Sequence, residues 1–200
     1  MMLRNTLNSM SESEPLLIVG FAGSLRKESY NKMLLHAVSE LMPKNVRLEI
    51  LNLGEIPLFN QDLEYNMPET VRRFKEKIKH ADALLIATPE YNSSIPGVLK
   101  NALDWASRPP GDNSLDGKPV AIMSASIGML GGARAQTHLR QILSSLNVYV
   151  VNKPEVIVNF ANEKFDADGR FKDERAKIFI RQLLENLVKL AKILRSNNKS

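Results

Sequence analysis

Short apolar runs alternate with helix-period segments along most of the chain, and this alternation limits the available folds more than any other feature. The runs are Leu16 to Phe21, Val46 to Leu51, Ala83 to Ala87 and Pro119 to Met123. Val148 to Val151 and Val156 to Val158 supply a last strand, interrupted near Pro154. Helices are predicted from Tyr30 to Met42, with Ser29 as N-cap and Pro43 as stop, from Pro68 to His80, and from Pro96 onward. Two more are predicted over Gly132 to Leu146 and Arg175 to Arg195. In the last, Phe179, Leu183, Leu187, Leu190 and Leu194 recur at helical spacing. Ala83 to Ala87 is apolar without alternation, the mark of a parallel strand covered on both faces. Such a strand–helix order builds an open parallel sheet with helices on both sides.

In such sheets ligands gather outside the carboxyl ends of the strands. The segment LLIVGFAGSLRKESYN (16–31) runs from the first strand into the first helix. Its loop offers Ser24, Arg26, Ser29 and Asn31 as hydrogen-bond donors beside the free N–H groups of a helix start, which is the chemistry of a phosphate site without metal. The spacing matches neither G-x-x-x-x-G-K-[ST] nor G-x-G-x-x-G. It suits a terminal phosphate monoester, although an ordinary strand–helix turn capped by Ser29 would read the same over this segment alone. With that loop after the first strand, the expected fold is a flavodoxin-like three-layer α/β sheet of five strands in the order 2-1-3-4-5.

Two more loops fall on the same edge. TPEYNSSIPGVLKNALDW (88–105) carries Pro89, Glu90, Tyr91, Asn92 and Ser93. A Pro-, Asn- and Ser-rich turn locked between strand and helix presents fixed backbone donors and acceptors, able to match the edge of an isoalloxazine ring. The helix start at Pro96 adds a positive field. SASIGMLGGARAQTHLRQIL (124–143) adds Ser126, with Gly128 letting the backbone pass close to a ligand.

Composition excludes several classes. There is no cysteine, so disulfides, thiolate metal sites and Cys nucleophiles are ruled out. His36, His80 and His138 form no ligand pair at helical spacing, and no metal is expected. The net charge of +5 sits largely in mixed-sign helix patterns such as RRFKEKIKH (72–80), read as solvated helix face rather than a nucleic-acid surface. No apolar stretch approaches a membrane span. Residues 1–14 read as a polar, loosely ordered leader and residues 15–200 as one domain, with cytoplasmic location expected.

Together, GSLRKESYN, TPEYNSSIPGVLKNALDW, GGARAQTHLRQIL and the NKPE string (152–155) resemble the NADPH-dependent FMN reductase family, in particular its bacterial chromate and quinone reductase branch. The resemblance implies tightly bound FMN and two-electron transfer from NADPH or NADH to quinones, with azo, nitro or chromate compounds as further acceptors. It also implies a homodimer or homotetramer. Carried over position by position, it assigns Ser24, Arg26, Ser29 and Asn31 to the phosphate. Glu90, Tyr91, Asn92 and Ser93 would line the ring, touched also by Ser126. The flavin carries the chemistry, so no catalytic side chain is assigned. Two positions depart from the branch: Ser93 and Thr137 stand where aromatic residues are common, the second beside a subunit contact implied for Arg134 and Glu155. Arg26, Lys100 and Arg108 are the candidates for a 2′-phosphate contact. A flavodoxin-type electron carrier and a redox-sensing flavin protein remain the alternatives.

Overall fold

A computed structural model describes residues 15–197; the leader expected at 1–14 lies outside the described residues. Strand β1 (Leu16–Ala22) leads into helix α1 (Tyr30–Ser39), then β2 (Val46–Leu51), α2 (Glu69–His80), β3 (Ala83–Thr88) and α3 (Gly97–Ala106). There follow β4 (Pro119–Ala125), α4 (Ala133–Ser145), β5 (Tyr149–Val150), β6 (Val156–Val158), a short helix α5 (Ala161–Lys164) and α6 (Glu174–Asn197). The sheet is parallel throughout and runs β2-β1-β3-β4-β5, with β6 also pairing β4. β5 meets the start of β4 (Val120 opposite Val150) and β6 its end (Met123 opposite Val156). The last position is thus one broken strand, and the flavodoxin-like five-position order holds.

Side-chain alternation along the strands feeds two cores. On one face Ile18, Ala22, Leu85 and Met123 pack with Leu34 and Leu35 of α1 and Leu183, Leu184 and Leu187 of α6. On the other, Val19, Phe21, Leu84, Ile86 and Ile122 meet Phe74 and Ile78 of α2, Leu99 and Trp105 of α3, and Leu139 of α4. Every residue of β3 is buried, as its unbroken apolar run requires. Fully burying one such Leu or Ile side chain contributes about 1.5–3 kcal/mol, so the sheet centre is a large source of stability.

Several expectations need correcting. α1 ends at Ser39 rather than Met42 because the chain turns there, with Leu41 N–H bonded to the Val38 carbonyl. Pro96 occupies the N-cap of α3 in extended conformation, one residue before the helix. Phe179 is 40% exposed although it shares the helical spacing of the buried leucines. Lys75, read as solvated face, is buried. Its Nζ donates to the carbonyls of Ala106 (3.2 Å), Arg108 (2.5 Å) and Asp112 (2.6 Å), with the Asp112 carboxylate at 3.3 Å. Burial holds the Lys75 ammonium below its ordinary pKa, and Asp112 opposes that shift. The lysine thereby pins α2 to the loop after α3. A further hairpin, bridged at Phe165 and Phe171, lies between α5 and α6, and both rings join the core beside α1 and α6.

Candidate functional site

The loop between β1 and α1 keeps its polar groups open. Ser24 and Ser29 are buried, yet Ser29, at the N-cap, makes no side-chain cap bond. The first helical bond runs from Met33 N–H to the Ser29 carbonyl (3.0 Å). The N–H groups of Tyr30, Asn31 and Lys32 therefore lack helix partners, as helix geometry dictates. Ser24 Oγ accepts from Arg26 N–H at 3.3 Å. The exposed Arg26 guanidinium lies 5.8 Å from the centre of the Tyr30 ring and pairs with no carboxylate among the described residues. Lys32, which the sequence reading missed, donates to the Leu25 carbonyl (3.3 Å) and brings a second cation to the loop. A cavity of about 230 Å³ opens beside Ser24, lined by Lys32, His36 and Asn52. Hydroxyls, unpaired N–H groups and a free guanidinium are the donor set that a phosphate dianion satisfies.

Asn31 does something else. Its Nδ2 donates to the Ala125 carbonyl (2.8 Å) and its Oδ1 accepts from Ala125 N–H (2.9 Å), both buried. The side chain is a strut from α1 to the end of β4 rather than an arm of the phosphate loop.

After β3, Thr88 Oγ donates to the carbonyl of buried Pro89 (2.8 Å). Tyr91 and Ser94 then exchange both backbone bonds, each at 3.0 Å, closing a two-residue turn. Asn92 and Ser93 sit at φ 50° and 64°, the type I′ geometry usually given to Asn-Gly. Holding Ser93 left-handed costs about 1–3 kcal/mol, a strain found at ligand clamps. Neither Asn92 nor Ser93 N–H has a partner among the described residues, and Tyr91 is 51% exposed beside them.

Glu90 spends one carboxylate oxygen within the protein. Its Oε2 accepts from the N–H groups of Arg134 (3.0 Å) and Ala135 (3.3 Å) at the start of α4. Arg134 returns the contact, with Nη1 3.7 Å from Glu90 Oε1 and donating to Ser93 Oγ at 3.3 Å. Within this chain the Arg134 guanidinium thus lies on the turn.

The loop after β4 is seated by its backbone. Ser126 N–H bonds the Val158 carbonyl (3.0 Å), and Ser126 Oγ accepts from Gly128 N–H (3.3 Å). Gly131 and Gly132 have φ 59° and 97°, and a Cβ on Gly132 would stand 2.7 Å from Ser124 Cβ. The loop after β2 joins the same edge, because Asn101 and Trp105, one helical turn apart on α3, both donate to the Pro57 carbonyl at 2.9 Å. That pairing was visible only as an N-x-x-x-W spacing. Of the three cations considered for a 2′-phosphate, Lys100 is bound to Asp104 (2.7 Å) and Arg108 to the buried Glu64. Of the three, only Arg26 has no carboxylate partner among the described residues.

The site is therefore a row of loops at the carboxyl edge, with a phosphate-type donor set at β1 and an exposed, strained backbone turn at β3. Known proteins share this chain's sequence and fold. A family model described as NADPH-dependent FMN reductase matches residues 16–163. The NAD(P)H-dependent FMN reductase of Pseudomonas aeruginosa is 49% identical over 176 residues, covering 88% of this chain and 95% of that protein. A 2-hydroxy-1,4-benzoquinone reductase of a Burkholderia species is 43% identical, covering 85% of this chain and 93% of its own length. The solved structure of FerB, a flavoenzyme NAD(P)H:(acceptor) oxidoreductase from Paracoccus denitrificans, superimposes with a TM-score of 0.82 at 37% identity, over 88% of this chain and 97% of that one. Matched in sequence from β1 to α5 and in fold across the sheet, the chain belongs to the NADPH-dependent FMN reductase family.

Proposed function

We propose that residues 15–200 act as one FMN-binding domain that oxidises NAD(P)H and passes two electrons to quinones. The observation that carries this reading is the β1–α1 loop, whose hydroxyls, guanidinium and helix-start N–H groups are left open on the edge that also bears the strained turn. Bound FMN would supply hydride transfer at its ring. Ser24, Arg26 and Ser29 would hold the phosphate. The free N–H groups of Asn92 and Ser93 would meet the polar ring edge, Tyr91 would pack beside it, and Ser126 and Gly128 would approach from the β4 loop.

With one ring face against these loops, the donor and the acceptor use the same open face in turn, which gives ping-pong kinetics. Azo dyes, nitroaromatics and chromate are proposed as further acceptors. Tyr91, Ile127, Met129 and Leu130 are exposed along this edge, which supports a homodimer that covers them. We place the reaction in the cytoplasm, where it would draw on the NAD(P)H pool. The test is steady-state NADPH oxidation by FMN-loaded protein with 1,4-benzoquinone. Parallel double-reciprocal lines are expected. Intersecting lines would refute the shared face, and no oxidation above the quinone-free rate would favour an electron carrier.

A further inference from the structure

Helix α4 has an unusual start. Its N-cap is Gly132, held at φ 97°. A Cβ there would meet Ser124 Cβ at 2.7 Å and Ser124 Oγ at 2.9 Å, so no Ser, Thr, Asp or Asn can occupy the position and cap the helix locally. The orphan N–H groups of the first turn still need an acceptor. Glu90 supplies it from 44 residues away, accepting from Arg134 N–H (3.0 Å) and Ala135 N–H (3.3 Å) with a side chain only 14% exposed. The adjoining residues of the same loop form the strained turn at Asn92 and Ser93. Arg134, whose own N–H is capped, reaches back to Ser93 Oγ at 3.3 Å. His138, one turn further along α4, contacts Ser94 Oγ through Nδ1 at 3.0 Å. The turn is thus tied to α4 at three places, and the cap is the most buried of them.

We infer that Glu90 is the positioning residue of the flavin cradle. Its carboxylate latches the β3–α3 turn to α4, and the latch keeps Asn92 and Ser93 left-handed with their N–H groups facing the ligand edge. This rests on the FMN reading of the site. It separates two jobs that one ligand would otherwise blur, since the β1–α1 loop reads the phosphate and the latched turn reads the ring.

The experiment titrates apoprotein with FMN and with riboflavin, and follows amide exchange of the apoprotein at residues 91–94 and 133–135. Glu90→Ala should weaken FMN and riboflavin by the same factor, about tenfold, the scale of one lost hydrogen-bonded positioning contact. It should also speed exchange at both segments together. Glu90→Gln keeps an acceptor for both N–H groups and should stay within about threefold of wild type for both ligands. Should Glu90→Ala fail to fold, Glu90→Asp, one methylene short of the helix start, takes its place with the same expected pattern. Unchanged affinities in a variant that merely melts earlier would overturn the latch, as would a loss confined to FMN or a Gln variant as poor as Ala. Failure of wild type to bind FMN would instead refute the cofactor reading. The exchange data would then judge the latch alone, and unchanged exchange in Glu90→Ala would overturn it.

Discussion

The β1–α1 loop and the β3–α3 loop lie on the same edge of the sheet but use their polar side chains in opposite ways. In the first, Ser29 declines its own helix, and among the described residues Arg26 rests over Tyr30 without a carboxylate and the first helical N–H groups stay open. In the second, Glu90 is spent on α4 and Ser93 on Arg134, while backbone groups are left for a ligand. On the proposed function, the contrast separates a loop that would gain its bonds on binding from one whose internal bonds hold a costly backbone shape in advance. The first can be emptied or filled with little effect on the fold. The second cannot be loosened without moving α4.

The largest effect expected from this contrast is at Gly132. Gly132→Ala forces a left-handed alanine against Ser124 and should cost about 3–4 kcal/mol of unfolding free energy, measured by urea denaturation. A change near zero would show that the wall formed by β4 and α4 is soft and would break the comparison. Arg26→Ala tests the open loop. Unfolding free energy should stay within about 0.5 kcal/mol, as for surface positions, while FMN affinity falls by about 2 kcal/mol. Equal loss of stability and binding would place Arg26 in the fold instead.

The smallest effect sharpens the difference between a remote and a local cap. Asp173, just before α6, accepts from Ala176 N–H (3.0 Å) and pairs with Lys164 (2.8 Å). The Lys164 ammonium and then the Ala176 N–H hold its carboxyl below the ordinary aspartate value of 3.8. A folded-state pKa below the unfolded one gives stability that is present above the unfolded value and lost as pH falls through the folded one. Asp173→Asn keeps the cap and drops the ion pair, so it should cost about 1 kcal/mol or less at neutral pH. Its chemical-denaturation midpoint should also fall less than that of wild type between pH 5 and pH 2, roughly the range over which such carboxyls titrate.

Much of the architecture is legible in the chain because its causes are local. Unbroken apolar runs mark the inner strands, proline and glycine bound the helices, and the loops richest in Gly, Ser, Asn and Pro fall on one edge. The errors share a physical origin, in that side chains were read by type while their partners come from elsewhere. Asn31 looks like a phosphate donor until Ala125, 94 residues away, takes both ends of its amide. Lys75 reads as one cation in a solvated face, but three carbonyls from the end of α3 and the loop after it enclose it. Glu90 belongs to a string matched by the family, and one of its carboxylate oxygens is taken up by the start of α4. Its reason is steric: Gly132 has no room for a capping side chain.

The account stands most directly on a side-by-side titration of apoprotein with FMN and riboflavin, which differ only in the phosphate. Charge-assisted bonds from Arg26, the two hydroxyls and the start of α1 predict that FMN binds at least about a hundredfold more tightly. Equal affinity for the two would contradict a phosphate site at the β1–α1 loop, and with it the division of labour between the two loops.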